Sequence, residues 1–185
     1  MPSPVTHARL RLLAWLLLAG TLAQAAPPPA ETSVSVLNLW SGAALMIWNE
    51  APGSYLWAYW PFDSKQLQAQ RAWRVVYLRT GSIALRNSRY GTCISSYYSS
   101  GVVHEACDAD NDSRQRFDPI LTRTGALLLR NAANGDCLRT YSSGAYAHAF
   151  SVDFAACPQT GSVDMQLLWI LGPVLSNSER LPATE

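Results

Sequence analysis

Beyond residue 36 the chain alternates short apolar runs with turn residues. "GAALMIW", "SIALRN", "ALLLRN", "GVVHEAC" and "FSVDFAAC" each stay within the four-to-eight-residue length of strands and are bounded by Gly, Asn, Asp and Ser, the signature of β-structure. Sustained 3.6-residue periodicity is missing, apart from the suggestion of a helical turn near "SKQLQAQRAW". An all-β domain is predicted. In "SYLWAYWPFD" the period of two puts Leu56, Ala58 and Trp60 on one face and Tyr55, Trp57 and Tyr59 on the other. The first set is expected to face the core, with Trp40 beside it. The second faces outward and is joined by Trp48.

The runs recur. "GSIALRNSRYGTCISSYYSSG" from Gly81 aligns with "GALLLRNAANGDCLRTYSSG" from Gly125 at a constant offset of 44, matching Leu85 to Leu129, Arg86 to Arg130, Asn87 to Asn131, Gly91 to Gly135 and Cys93 to Cys137. A more degenerate copy without cysteine starts at Ser41. Each copy ends on a glutamine shortly before an aromatic: Gln70 and Trp73, Gln115 and Phe117, Gln166 and Trp169. Three such units of four strands close naturally into a threefold barrel with a hairpin cap, which removes exposed strand edges. Trp73, Phe117 and Trp169 are then expected as three equivalent core plugs, and the glutamines as hydrogen-bonding residues at the repeat junctions.

The amino terminus changes the compartment. Two arginines in "HARLR", the apolar run "LLAWLLLAG" and Ala23-Gln24-Ala25 read as a cleaved signal peptide over residues 1–25. The apolar run falls well short of the ~20 residues of a membrane helix, so no span is expected. The mature chain of about 160 residues suffices for one domain, expected over 37–175 between flexible segments 26–36 and 176–185. Losing Arg9 and Arg11 from the 14 basic side chains leaves one fewer than the 13 acidic ones, which argues against a nucleic-acid or polybasic membrane role.

Four cysteines in an exported chain point to two disulfides with three connectivities open. Cys93–Cys107 and Cys137–Cys157 are the pairs that would each stay within one repeat. No C-x-x-C occurs, and His104 and His148 are not spaced as zinc ligands. No metal or cofactor is expected. The acidic turn "DADND" reads as a solvated loop rather than a calcium site, since it lacks the EF-hand glycine and terminal glutamate. No G-x-S-x-G or comparable catalytic motif is present, and no enzyme is expected.

The Gly-x-Cys starts at Gly91 and Gly135, the second cysteines and the Gln-aromatic ends resemble ricin-B-type β-trefoil lectin repeats. "NLWSGAALMIWNEAPGSYLWAYWPFDS", "GVVHEACDADNDSRQRF", "RTGALLLRNAANGDCLRTYS" and "LLWILGPVL" further resemble the A-subunit family of cytolethal distending toxins over roughly residues 37–175. The resemblance implies a β-trefoil within a heterotrimeric bacterial toxin, assembled with a homologous lectin-like C subunit and a DNase I-like nuclease, the B subunit, that carries the chemistry. It also implies a host-binding aromatic patch at Trp48, Trp57 and Tyr59, with Tyr55 standing where the family has tryptophan. Family members often carry a lipoprotein signal; no cysteine precedes Cys93 here, so export without a lipid tether is expected, through the periplasm to the outside.

Sugar-binding ricin-type repeats place a carboxylate after the Cys-Leu step, and here those positions hold Met46, Ser95 and Arg139. The ordinary galactose pockets are therefore expected to be degenerate. Three functions remain open: a binding and delivery subunit of a genotoxin, a free-standing secreted lectin or adhesin, and a toxin scaffold without host contact.

Overall fold

The computed structural model describes residues 32–61, 67–98, 100–142 and 148–175. The signal segment 1–25 and the tail 176–185 lie outside them. The described residues form twelve strands: β1 Ser33–Asn38, β2 Ala44–Ile47, β3 Leu56–Tyr59, β4 Trp73–Tyr77, β5 Ile83–Asn87, β6 Thr92–Tyr97, β7 Gly101–Ala106, β8 Phe117–Leu121, β9 Leu127–Asn131, β10 Cys137–Tyr141, β11 Ala149–Ala155 and β12 Trp169–Pro173. The chain enters the sheet at Ser33, ahead of the boundary expected at residue 37. The reason is local: Val34 and Val36 pack on the core while their backbone pairs with β12.

Every pairing is antiparallel. Following them from β1 to β4, β5, β8, β9, β12 and back to β1 closes a ring of six strands, so the barrel has no free edge. The other six strands form three hairpins, β2–β3, β6–β7 and β10–β11. β3 and β7 both pair with β11, and an isolated bridge joins Tyr55 to Val103, so the hairpins meet one another as a cap.

One local device occurs in three places. A 3₁₀ turn, Ala69–Arg71, Ser113–Gln115 or Met165–Leu167, leads into Trp73, Phe117 or Trp169, and none of these three rings has exposed surface. Trp73 Nε1 donates to the Leu45 carbonyl at 2.9 Å and Trp169 Nε1 to the Leu138 carbonyl at 2.8 Å, which ties the barrel to β2 and β10. Phe117 has no donor and instead stacks on Phe154, with centroids 6.3 Å apart.

Three buried asparagines accompany these turns. Asn38, Asn87 and Asn131 donate through Nδ2 to backbone carbonyls of the turn segments, Gln166 and Leu168, Ala69 and Gln70, Arg114 and Arg116 respectively. Their Oδ1 atoms accept from the N–H groups of the following turn, Trp40 and Ser41, Arg89 and Tyr90, and Ala133. Each turn closes with a glycine N–H, Gly42, Gly91 or Gly135, donating to the asparagine carbonyl at φ between 65° and 78°, a region costly for any side chain with a Cβ. Of the glutamines, Gln115 is buried and bonds through its side chain to the Asp108 N–H and the Ala106 carbonyl. Gln70 and Gln166 contribute backbone carbonyls to Asn87 and Asn38.

Cys93–Cys107 and Cys137–Cys157 are disulfides closing separations of 14 and 20 residues. Cys137 is buried against Ala126, Leu128 and Leu167. Replacing both Cys137 and Cys157 with serine is expected to lower stability by about 3 kcal/mol through the freed loop, measured as a shift of the urea midpoint.

Trp40 and Trp60 depart from the core expectation, being 40% and 37% exposed. Trp60 keeps the inward parity of Leu56 and Ala58 but follows the last residue of β3, where the chain leaves the cap. There its Nε1 donates to the Ser41 carbonyl. Trp40 sits in the β1–β2 turn. Both rings pack on Phe150, and Trp60 also contacts His148.

Candidate functional site

In the β2–β3 register Leu45 faces Ala58, Met46 faces Trp57 and Ile47 faces Leu56. Leu45, Ile47, Leu56 and Ala58 point into the core. The opposite face carries Met46, Trp48, Tyr55, Trp57 and Tyr59, by strand parity. Met46 has no exposed surface even though it lies on that outer face. Trp48 is 57% and Tyr55 55% exposed, while Trp57 and Tyr59 are half-buried.

The four residues divide into two groups. Trp48 reaches back along the strand to Tyr59, with ring centroids 5.7 Å apart. Tyr55 leans the other way, edge-on to Tyr97 at 6.2 Å. It lies so close over Gly101 that a Cβ there would stand 3.0 Å from its ring. Tyr55 and Trp57 thereby become one wall of a cleft of about 370 Å³ completed by Tyr97, Tyr98, Tyr141 and Asp153. Alternation within "SYLWAYWPFD" does not single out these last three tyrosines. A signal exists, however: Trp48, Tyr97 and Tyr141 each end their hairpin's first run, in "ALMIW", "CISSY" and "CLRTY".

The segment carrying Trp48 and Tyr55 is pinned from below. His104, fully buried, contacts the Asn49 carbonyl through Nε2 at 2.9 Å and the Thr92 hydroxyl through Nδ1 at 3.1 Å. A carbonyl only accepts, so Nε2 bears a proton. The backbone of His104 also accepts from Gly53 N–H and donates to the Ser54 carbonyl. Tyr90 donates to Glu50; burial and then this hydrogen bond push its hydroxyl pKa above the usual value, keeping it a donor.

At the third hairpin Arg139 and Asp153, register partners on β10 and β11, form a bidentate pair at 2.9 and 2.6 Å. The hydrogen bond to Asp153 raises the Arg139 pKa. Its guanidinium also lies 5.3 Å from the Tyr141 ring centre. The acidic turn is closed on itself. Asp112 caps the Ser113–Gln115 turn and both its oxygens are held by Arg114, which lowers its pKa. Among the described residues no group of three or more His, Cys, Asp or Glu side chains gathers as a metal site, and no helix is long and apolar enough to cross a membrane.

A closed six-stranded barrel capped by three hairpins, with an aromatic outer face on the cap, is an all-β domain of β-trefoil type. A designed threefold-symmetric protein, ThreeFoil, superposes with a TM-score of 0.63 at 16% identity, covering 76% of this chain and 97% of its own. The chain belongs to the family described as the cytolethal distending toxin A/C domain, matched over residues 33–180. It is 32% identical over 74 residues to the cytolethal distending toxin A subunit of Helicobacter hepaticus, a stretch covering 40% of this chain and 32% of that protein. It is 36% identical over 66 residues to the Escherichia coli A subunit, covering 35% and 25%. The matched stretches thus span a third or less of these relatives. A chain of the Haemophilus ducreyi toxin superposes with a TM-score of 0.69 at 22% identity, covering 86% of this chain and 93% of that one.

Proposed function

We propose that this protein is the non-catalytic cell-binding and delivery subunit of a tripartite bacterial genotoxin, exported by a cleaved signal peptide. It would assemble with a homologous lectin-like C subunit and with a DNase-like B subunit that performs the reaction. Family membership supports the toxin context, and the recurrence of the asparagine turns and buried plugs supports descent from three ricin-B-like repeats. The observation that carries the binding role is the outer face of β2–β3, where Trp48 and Tyr55 are more than half exposed and Trp48 packs on the half-buried Tyr59. Exposed aromatics in this number mark an interaction surface. Leu121, 71% exposed beside a groove running to Pro158 and Val163, offers a separate apolar surface for a toxin partner.

The test is attachment of the reconstituted complex to cultured cells with Trp48→Ala and Tyr59→Ala combined. Binding is expected to fall about tenfold or more, equivalent to ~1.4 kcal/mol, while the subunits still co-elute. Loss of co-elution instead would favour the scaffold function, and a protein that never associates with a nuclease would favour the free-standing lectin.

A further inference from the structure

We propose that the Cys137–Cys157 disulfide is a reducible latch on the apolar groove beside Leu121, closed in an oxidising medium and opened by a thiol reductant while the barrel stays folded. The groove encloses about 700 Å³ between two walls of different make. One wall is the β8–β9 turn region, with Ile120, Leu121 and Leu128; the other is the loop from Pro158 to Val163. Strand pairing holds the first, Ile120 facing Leu128 and Leu121 facing Leu127, and the Thr122 N–H closes its turn on the Ala126 carbonyl.

The second wall has no such support. Among the described residues no backbone hydrogen bond is made by positions 158–163, and the one side-chain bond, from Gln159 Nε2 to the Cys157 carbonyl, stays within the segment. What fastens the loop to the barrel is the bond from Cys157 to Cys137 on β10, together with the packing of Cys157 and Val163 on the cluster of Ala126, Leu128 and Leu167. The other disulfide carries a different load. Cys107 leads into a turn tied twice by the Gln115 side chain, to the Asp108 N–H and the Ala106 carbonyl, and closed by the N–H groups of Asn111 and Asp112 on the Asp108 carbonyl. Gln166, at the matching place in the third repeat, gives its backbone carbonyl to Asn38 and no side-chain bond to the loop. The turn after Cys107 therefore keeps its place without a crosslink, and the loop after Cys157 does not.

The chemistry needs one accessible sulfur. Cys137 has no exposed surface, whereas Cys157 is half-buried beside the exposed residues Gln159 to Ser162. A thiolate of the reductant attacks Cys157 Sγ; a new S–S bond forms to the reductant as the old one breaks, and Cys137 leaves as a thiolate and takes up a proton. The second thiol of a dithiol reductant then attacks its own sulfur in the mixed disulfide and expels Cys157. Two electrons have passed to the two protein cysteines, and the reductant is released as its disulfide. The protonated Cys137 suits its apolar surroundings, and the loop gains conformational freedom. The latch goes beyond the delivery role and does not depend on it. Its consequence there is that a toxin partner seated against Leu121 loses one side of its seat on meeting a reducing medium.

The experiment is NMR of the full chain, labelled with ¹⁵N and at methyl groups, before and after dithiothreitol, with free thiols counted by alkylation and mass spectrometry. Cross-relaxation between the Val163 methyls and those of Leu128 and Leu167 is expected to fall about fivefold or more on reduction, and the Gly161 amide to become mobile on the nanosecond scale. Amide shifts of the six barrel strands should persist. Cys93→Ser with Cys107→Ser is expected to keep this response to reductant, and Cys137→Ser with Cys157→Ser to show the open loop without any. A loop that stays seated once Cys137 and Cys157 are both free overturns the proposal. So does loss of the barrel signals on reduction, which would make the crosslink a staple of the whole domain. Opening of the loop while the reconstituted toxin subunits still co-elute supports the latch and moves the partner's seat elsewhere, leaving the delivery role intact.

Discussion

Trp169→Ala is expected to destabilise the protein by about 4 kcal/mol or more, enough to unfold much of the population of a domain of ordinary stability. Two losses combine. The indole is fully buried in the barrel core, and truncating such a ring costs roughly 3–5 kcal/mol in packing and cavity. Its Nε1 is also the donor to the Leu138 carbonyl, and an abandoned buried acceptor adds about 1–3 kcal/mol. Trp169→Phe separates the two, keeping most of the packing and removing the donor. Urea unfolding followed by far-UV circular dichroism measures both. If the alanine protein unfolds at the parent midpoint, Trp169 is no plug.

Asn38→Ala is expected to cost about 3 kcal/mol or more, which is large for a residue with so little apolar surface. Asn38 donates to the carbonyls of Gln166 and Leu168 and accepts from the N–H groups of Trp40 and Ser41, so alanine strands several backbone groups, two of them at the junction of the first and last strands. Asn38→Asp makes the point electrostatically. The carboxylate keeps the two accepted bonds but faces two carbonyl oxygens, so its folded-state pKa should rise above the unfolded value of about 3.9. A raised folded pKa means stability present at low pH and lost as pH increases, so this variant should be firmer at pH 4 than at pH 7. Equal urea midpoints at the two pH values would contradict the assigned geometry.

The barrel and its plugs are legible in the sequence because their residues are punctuated locally. Gly91 and Gly135, and Cys93 and Cys137, share one offset, a glutamine shortly precedes the closing aromatic in each copy, and each of these marks a turn, a crosslink or a core position. Asn38 is harder to recognise as the partner of Asn87 and Asn131, since the first copy lacks cysteine and its spacing to the second differs from 44. Trp60 departs from its expected place for another reason: alternation gives the face of a residue but not where the strand ends. The four aromatic positions on β2–β3 are readable from a period of two. Tyr97, Tyr98 and Tyr141 lie far away in sequence and reach Tyr55 and Trp57 only because β3 and β7 both pair with β11. A surface assembled from three hairpins leaves little trace in any one of them.

The closing pair of the barrel joins Val34 to Pro173 and Asn38 to Trp169, nearly the full length of the domain. A chain made from its amino terminus holds β1 without its final partner until almost everything else has been synthesised. Loop closure over such a distance is slow compared with forming the hairpins. Folding should therefore run from cap to ring, with the hairpins formed early and the ring sealed last. Until then one side of β1 is an open template for another chain, so protection of that strand during biogenesis, rather than final stability, sets how much of this protein is obtained.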